Sequence, residues 1–440
     1  MWQKLFCVEG ETFNLKTEVI AGLTTFLASM YIIVVNPAIL SKSGMPFSGV
    51  LTATVLVSAF SSIAMGIYAK NPILIAPGMG LNAFFTYSVV LNMGVKWETA
   101  LGAIFWSGIV FILLSVFNVR TYIVKAIPRQ LRFAIAGGIG LFISLIGLEN
   151  AKFIVNSPAT ILTSGTLNSV TITFIIGLLF TALLVVRRIR GALIIGIAFT
   201  TLLSLPIGRI YGDATNLFGQ PTLVTFQGLM ARPDFSLILK LDLLGSLKFS
   251  LFPVIFAFLF TDMFDSLSTF IGVAEAGNLL DESGEPRNIK QSLIVDAFST
   301  AISGLLGTSS GTSYIESATG IEEGRRTGLT AVVAGLLFLP FMFFSPVLSI
   351  VPAIATAPAL VLVGVFMMQP VSKIHWFRFD DAIPAFLGFI LIPLTYSITQ
   401  GIIWGFLSWT VIKLASGKKD EVSPALLVID AFAILALILR

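Results

Sequence analysis

Two aspartates, Asp262 and Asp265, lie inside an apolar stretch at 251–273 that is long enough to cross a membrane. A charged side chain near the bilayer centre is costly unless it faces a cavity or a partner, so such residues are candidates for function. The i, i+3 spacing predicts that both carboxylates lie on one face of a helix, beside hydroxyl side chains. The alternative is a polar seam between helices, although Ser, Thr and Asn are more typical of seams than paired acids are.

Asn82 and Glu316 lie in apolar stretches that glycines, prolines or hydroxyl residues interrupt, at 71–82 and 306–316. Interrupted segments at equivalent positions of two halves indicate a binding site near the middle of the membrane. Each predicts a short extended piece followed by a half-helix, whose first N–H groups can donate hydrogen bonds to a substrate. The alternative is a pair of re-entrant loops that serve only packing.

Three acids and one amide are therefore expected to converge. With a single cysteine, Cys7, and a single histidine, His375, the chain offers neither a soft-metal centre nor a hydrolytic triad, so we expect no cofactor and no enzymatic activity. We expect His375 to lie at the surface. Carboxylates and an amide suit a flat, neutral ligand with N–H donors and carbonyl acceptors, such as a nucleobase, and Phe84 is a candidate for its lining.

The composition sets the class of protein. The chain has 440 residues, of which 56% are hydrophobic and only 11% charged, with a mean hydropathy of +0.95. A soluble domain is far less apolar, so the sequence predicts a polytopic membrane protein. No signal peptide stands out near the N-terminus, and the first span is expected to be retained. The net charge of +4 requires no nucleic-acid partner, because basic residues in membrane proteins collect on the cytoplasmic side.

Apolar stretches of about 17–25 residues predict fourteen spans, seven on each side of a polar segment at 209–248. The first seven lie at 17–40, 49–69, 73–92, 97–118, 129–149, 169–187 and 190–208. The second seven lie at 249–274, 290–306, 307–323, 327–347, 354–370, 379–396 and 398–415. A last apolar run at 425–439 fits either an interfacial helix or an additional crossing.

The distribution of basic residues supports this number of spans. If the N-terminus is cytoplasmic, a large majority of the 27 Lys and Arg residues fall inside, among them Arg132 and Lys373. The smaller outside group includes Lys42 and Lys96. Because seven is odd, the second half is inverted relative to the first, which is typical of a secondary transporter with inverted repeats. We therefore expect a multi-pass protein of the cell membrane.

Buried acids can also carry a driving ion. Desolvation favours the neutral form of a carboxylic acid, so such a group can take up a proton on one side of the membrane and release it on the other. Asp265 is the first candidate for proton coupling, because a neighbouring Asp262 disfavours ionisation of both, and Glu316 is a further candidate. Sodium coupling would need several oxygen ligands, which the broken tenth stretch could supply.

Seven segments strongly resemble the AzgA-type purine permeases of the nucleobase/ascorbate transporter group. They lie at 22–27, 35–40, 76–85, 264–267, 271–274, 312–317 and 324–333. The resemblance runs almost from end to end and implies a fold like that of uracil transporters. It implies a core domain at 17–118 and 249–347, a gate domain at 129–208 and 354–415, and often a homodimer through the gate, with 423–440 left as a C-terminal apolar segment.

The resemblance also implies site residues. Asn82, Asp262 and Glu316 are expected to meet the purine, and Asp265 matches a second family acid. Thr312 and Ser313, in the motif that contains Glu316, are candidate substrate-binding residues, as is Phe84. The full set of candidates is Asn82, Phe84, Asp262, Thr312, Ser313 and Glu316.

Substrate choice depends on one position. In the family, the position of Asp262 is aspartate in hypoxanthine and guanine permeases and can be asparagine in adenine permeases, so the chain resembles the oxopurine branch. Hypoxanthine and guanine carry an N1–H that a carboxylate can accept, whereas N1 of adenine has no proton. Ser310 and Gly311 depart from the family pattern of Ser or Thr followed by Val. The alternatives are an adenine permease, or an anion transporter or channel of the same fold, whose ligand the acids would repel.

Overall fold

The computed structural model describes residues 5–8, 13–117, 127–157, 160–207, 209–210, 223–224, 228–277, 279–280, 286–321 and 327–438. The ends of the predicted stretches at 97–118, 190–208, 307–323 and 425–439 lie outside these residues. The same is true of the first part of the motif at 324–333 and of much of the polar segment at 209–248.

The described chain is helical at all fourteen predicted positions, and we number the spans accordingly. Spans 1 to 7 are Leu15–Ser29 with Ile32–Leu40, Phe47–Ala64, Met79–Ala83, Trp97–Val116, Arg129–Asn150, Ser169–Val186 and Ala192–Ser204. Spans 8 to 14 are Phe252–Gly277, Ile289–Leu306, Ser317–Ile321, Gly328–Phe338, Ala353–Met367, Phe379–Thr395 and Ile398–Ala415. The C-terminal run forms one more helix, Pro424–Ile438. Thus the protein is an all-α polytopic membrane protein.

Three spans carry local irregularities that place functional groups. Span 1 is interrupted at Met30 and Tyr31, and the Tyr31 side chain is buried there, with 1% of its surface exposed. Span 2 ends in a π-helical turn, Met65–Ala69, and span 3 continues as a π-helical stretch, Phe84–Asn92. π-Helical turns are rare in proteins overall, and those that do occur often lie near functional sites.

Spans 3 and 10 are broken as predicted, and their extended pieces meet. Strand β1 (Ile75–Pro77) precedes the helix of span 3, and strand β4 (Gly311–Ser313) precedes that of span 10. The two strands pair in antiparallel orientation, with Ala76 opposite Thr312. This pairing satisfies backbone N–H and C=O groups of residues that are buried in the membrane-spanning part of the protein. A Cβ atom at Gly78 would lie 2.5 Å from Cγ2 of Thr312, so the close approach requires glycine there.

The spans form two packed groups. In the first group, span 4 packs on span 9, and span 11 packs on spans 1 and 2. In the second, span 5 packs on spans 12 and 13, span 14 packs on span 13, and span 7 packs on spans 6 and 12. Between spans 5 and 6, strands β2 (Ile154–Ser157) and β3 (Ile161–Ser164) form a hairpin that the apolar pattern does not predict.

Candidate functional site

A cavity of about 300 Å³ lies between the two groups of spans. The first group contributes Tyr31 and residues of spans 3, 8 and 10, and the second group contributes residues of spans 5 and 12 with the turn that follows span 12. Its size is at the lower end of the range of about 300–1,000 Å³ for small-molecule sites. The polar residues of its wall are Tyr31, Arg132, Thr261, Asp265, Ser268, Thr269, Thr312, Ser313, Tyr314, Glu316, Gln369 and Lys373.

Asp265 and Glu316 both face this cavity. The two carboxyl groups come from spans that are distant in sequence, and both side chains are partly exposed to the cavity. The Tyr31 hydroxyl donates a hydrogen bond of 2.8 Å to Oε1 of Glu316. Since Tyr31 is fixed at the break in span 1, it holds the Glu316 carboxyl group in one orientation.

Asp262 is turned away from the cavity wall and is completely buried. At about 100° per residue, it lies about 60° from Asp265 around the helix of span 8. Thr261, Ser268 and Gly272, which line the cavity, lie on the other side of Asp265. The i, i+3 spacing therefore makes the two aspartates neighbours, yet they face different surroundings. The predicted convergence of three acids on one site is thus only partial in this conformation.

Behind the wall, Asp262 belongs to a polar network. Thr300 of span 9 donates a hydrogen bond to Oδ2 of Asp262. The same hydroxyl lies 3.2 Å from the carbonyl oxygen of Gly311 in β4. The other oxygen of Asp262, Oδ1, has no hydrogen-bond partner within the part of the chain that the structure describes. Asp262 is therefore placed to affect β4, a strand of the cavity wall, without facing the cavity.

Asp296 is a further buried acid in this network, and the sequence reasoning missed it. Ser313 lines the cavity, and its hydroxyl donates a hydrogen bond of 3.0 Å to Oδ1 of Asp296. The neighbouring Thr312 hydroxyl lies 2.8 Å from that of Ser266. The signal was available, because Asp296 lies inside the apolar stretch predicted at 290–306 and an ionisable residue there is itself a functional candidate.

Asn82 and Phe84 are buried near the site but do not line the cavity. The carbonyl oxygen of the Asn82 side chain accepts a hydrogen bond from Ser309. The Phe84 ring packs edge-on against Phe258, with 4.8 Å between the ring centroids. None of Asn82, Asp262 and Phe84 lines the cavity, so their contacts with a purine stay predictions.

The second group of spans supplies basic and amide side chains to the same cavity. Arg132 lies near the start of span 5, and Gln369 and Lys373 lie in the turn after span 12. The sequence pattern identifies Arg132 and Lys373 only as markers of orientation, because both lie at the ends of apolar stretches. Arg132 and Lys373 form a basic end of the cavity, which lies near the start of span 5 and the end of span 12.

One acidic cluster outside the cavity is neutralised by the protein itself. Nζ of Lys413 lies 2.7 Å from Asp380, 2.6 Å from Asp381 and 2.6 Å from Glu421, and the Lys413 side chain is fully buried. A protein cation thus occupies the centre of this cluster. His375, the one histidine of the chain, lies 3.5 Å from Asp381, and its side chain is 57% exposed, as the surface position predicted for it requires.

A ligand-sized cavity between two groups of spans, lined by two carboxyl groups and by two broken spans, is the arrangement expected of a membrane transporter. A model of the Permease family matches residues 16–403. The chain is 41% identical over 439 residues to the adenine permease AdeP of Escherichia coli strain K12, covering 100% of this chain and 96% of the relative. The chain belongs to the Permease family.

Other comparisons agree. The guanine/hypoxanthine permease PbuO of Bacillus subtilis strain 168 is 40% identical over 436 residues, covering 98% of each protein. These relatives are permeases rather than enzymes, and they confirm the resemblance to purine permeases. The transmembrane domain of the cyanobacterial bicarbonate transporter BicA superposes with a TM-score of 0.66 at 15% identity, covering 89% of this chain and 98% of BicA. At that identity the likeness concerns the fold alone.

Proposed function

We propose that the protein imports purine nucleobases by proton symport, with hypoxanthine and guanine favoured over adenine. The observation that carries the proposal is the pair of carboxyl groups, Asp265 and Glu316, that face one cavity between two groups of spans. An adenine permease is the alternative, because named relatives of both kinds match at similar identity, 41% for AdeP and 40% for PbuO.

The chemistry of the wall suits a purine. A carboxylate oxygen accepts hydrogen bonds from ring N–H groups, and a hydroxyl can both donate and accept. Glu316, oriented by Tyr31, supplies the acceptor, and the Thr312 hydroxyl lies in the same wall. Apolar side chains such as Phe264 and Met79 complete a surface for the flat faces of the base. Oxopurines fit the acceptors better than adenine does, because they carry N1–H.

Proton coupling is supported by the acids that share the cavity. Two carboxyl groups in one desolvated space disfavour ionisation of both, so substrate binding and protonation are linked. Asp265 is the first candidate for the proton carrier, with Asp262 and Glu316 as further candidates. Asp262 would act through Thr300 and β4, since both border the wall.

The packing of the spans supports the division into core and gate. Spans 1, 2, 4, 8, 9 and 11 and the broken spans lie on one side of the cavity, and spans 5 and 12 lie on the other. Arg132 and Lys373 mark the basic end of the cavity, which the positive-inside rule assigns to the cytoplasm. We therefore take this conformation as inward-open, in the cell membrane, with a cytoplasmic N-terminus. A homodimer through the gate remains a prediction.

The test is uptake of radiolabelled purines by cells that lack their own purine permeases, with unlabelled bases as competitors. We expect uptake of hypoxanthine and guanine, with weaker competition by adenine. A protein that takes up no purine base would refute the proposal, and one for which adenine competes best would establish the alternative. Cells that carry the empty expression vector control for diffusion and metabolism.

A further inference from the structure

A second polar cluster lies at the end of span 5 that is opposite to Arg132. Glu149 and Asn150 close the helix of span 5, and Glu149 is roughly 25 Å from Arg132 at 1.5 Å per residue. The cavity is bordered by the first part of this helix, at Arg132, Ile135 and Ile139. The cluster is therefore on the side of the membrane opposite to the basic end of the cavity.

Two of its contacts cross from one group of spans to the other. Nζ of Lys42, which follows span 1, donates hydrogen bonds to the hydroxyl of Tyr87, at 3.0 Å, and to Oδ1 of Asn150. The hydroxyl of Ser88, in span 3, donates to the carbonyl oxygen of Tyr396, between spans 13 and 14. Lys42, Tyr87 and Ser88 thus belong to the first group of spans, and Asn150 and Tyr396 belong to the second group.

Tyr396 is held in an unusual way. Its backbone has φ 51°, in the left-handed region that non-glycine residues rarely adopt, and it ends the helix of span 13. Its hydroxyl donates a hydrogen bond of 2.9 Å to Glu149, and its ring lies edge-on to Phe142 of span 5 at 5.5 Å. Strained backbone persists where the surroundings fix it, and such positions cluster at clamps and switches.

We infer that Lys42, Ser88, Asn150 and Tyr396 form an outer latch, which closes the external side of the cavity and must open in each transport cycle. The inference rests on the proposed function, because alternating access requires closure on the side opposite to the opening. A contact that is made in only one of two conformations biases their equilibrium toward that conformation. The latch residues therefore set how often the site faces outward, although none of them lines the cavity.

The experiment uses the fact that the chain has one cysteine. Cys7→Ser gives a cysteine-free protein, and Ile139→Cys adds a reporter on the cavity wall. A membrane-impermeant thiol reagent is applied to intact cells and, separately, to inside-out vesicles, without purine or ion gradient. The latch variants are Lys42→Met, Ser88→Ala and Asn150→Ala, each of which removes a side chain that takes part in a crossing hydrogen bond. Lys96→Met is the matched control, since Lys96 is an exposed lysine that the charge pattern places on the same side.

Each latch variant is expected to raise the labelling rate from outside about fivefold or more, and to lower it from inside, relative to Lys96→Met. Rates equal to the control in both directions would overturn the inference. Ser88→Ala and Asn150→Ala each remove one side-chain contact between the two groups of spans, so they report even if Lys42→Met does not fold, and a monodisperse elution profile verifies folding. If the latch variants change the labelling rates but the protein takes up no purine, the proposed function alone is refuted. If the protein takes up purine but the variants label like the control, the latch alone is refuted.

Discussion

The most direct test of the proposed function is whether Glu316 binds the substrate. Glu316→Gln keeps the size of the side chain and an oxygen that can still accept the hydrogen bond from Tyr31, which spans 2.8 Å. It removes the negative charge that faces the cavity. The variant therefore changes the charge presented to the substrate while it preserves the packing around span 10.

The magnitude follows from the kind of bond that is lost. A hydrogen bond to a charged group contributes about 1.5–3 kcal/mol, so the Kd for hypoxanthine should rise roughly 13- to 160-fold. Tyr31→Phe removes only the hydroxyl that orients the carboxylate and leaves the charge of Glu316 in place. We expect this loss to weaken hypoxanthine binding by about 0.5–1.5 kcal/mol, or roughly 2- to 13-fold in Kd. If Tyr31 acts through Glu316, its effect should shrink in the Glu316→Gln background.

The assay is equilibrium binding of labelled hypoxanthine to purified protein in detergent, with thermal unfolding as a check that each variant is folded. A Glu316→Gln protein whose affinity stays within about twofold of the wild type would refute the role of Glu316. Additive effects of Tyr31→Phe and Glu316→Gln would show instead that the tyrosine does not act through the carboxylate.

Three further predictions concern other parts of the molecule. Asp262→Asn should weaken uptake of hypoxanthine and adenine alike in competition assays, because Asp262 is buried behind the wall; a loss confined to hypoxanthine would show that it faces the substrate. In liposomes, accumulation should follow a proton gradient and rise as external pH falls, since protonation of a cavity acid favours binding of a neutral base; accumulation driven by sodium alone would contradict symport. Lys413→Met should destabilise the protein by roughly 3–5 kcal/mol in detergent unfolding, because it removes the fully buried cation and leaves Asp381 with the half-exposed Arg378. Lys418→Met, at a partly exposed lysine, should cost about 1 kcal/mol or less, and equal losses would count against a buried pair.

Local sequence was sufficient for the class of protein and the positions of its spans. An unbroken span is an apolar stretch whose backbone must form its own hydrogen bonds in the bilayer, so length and composition locate it without knowledge of the neighbours. The breaks in spans 3 and 10 were predictable for the same reason, since glycines and prolines act on the backbone within a few residues. The same reasoning, applied to every apolar stretch, would also have found Asp296.

Only the tertiary structure decided which polar groups share a space. Asp262 and Asp265 are three residues apart, yet about 60° around the helix separates a residue of the cavity wall from one buried behind it. The bond from Tyr31 to Glu316 and that from Ser88 to Tyr396 each join residues hundreds of positions apart. A sequence pattern fixes the face of a helix, but the neighbour that this face meets depends on how the spans pack. For this reason the cavity and the outer latch became visible only in the folded chain.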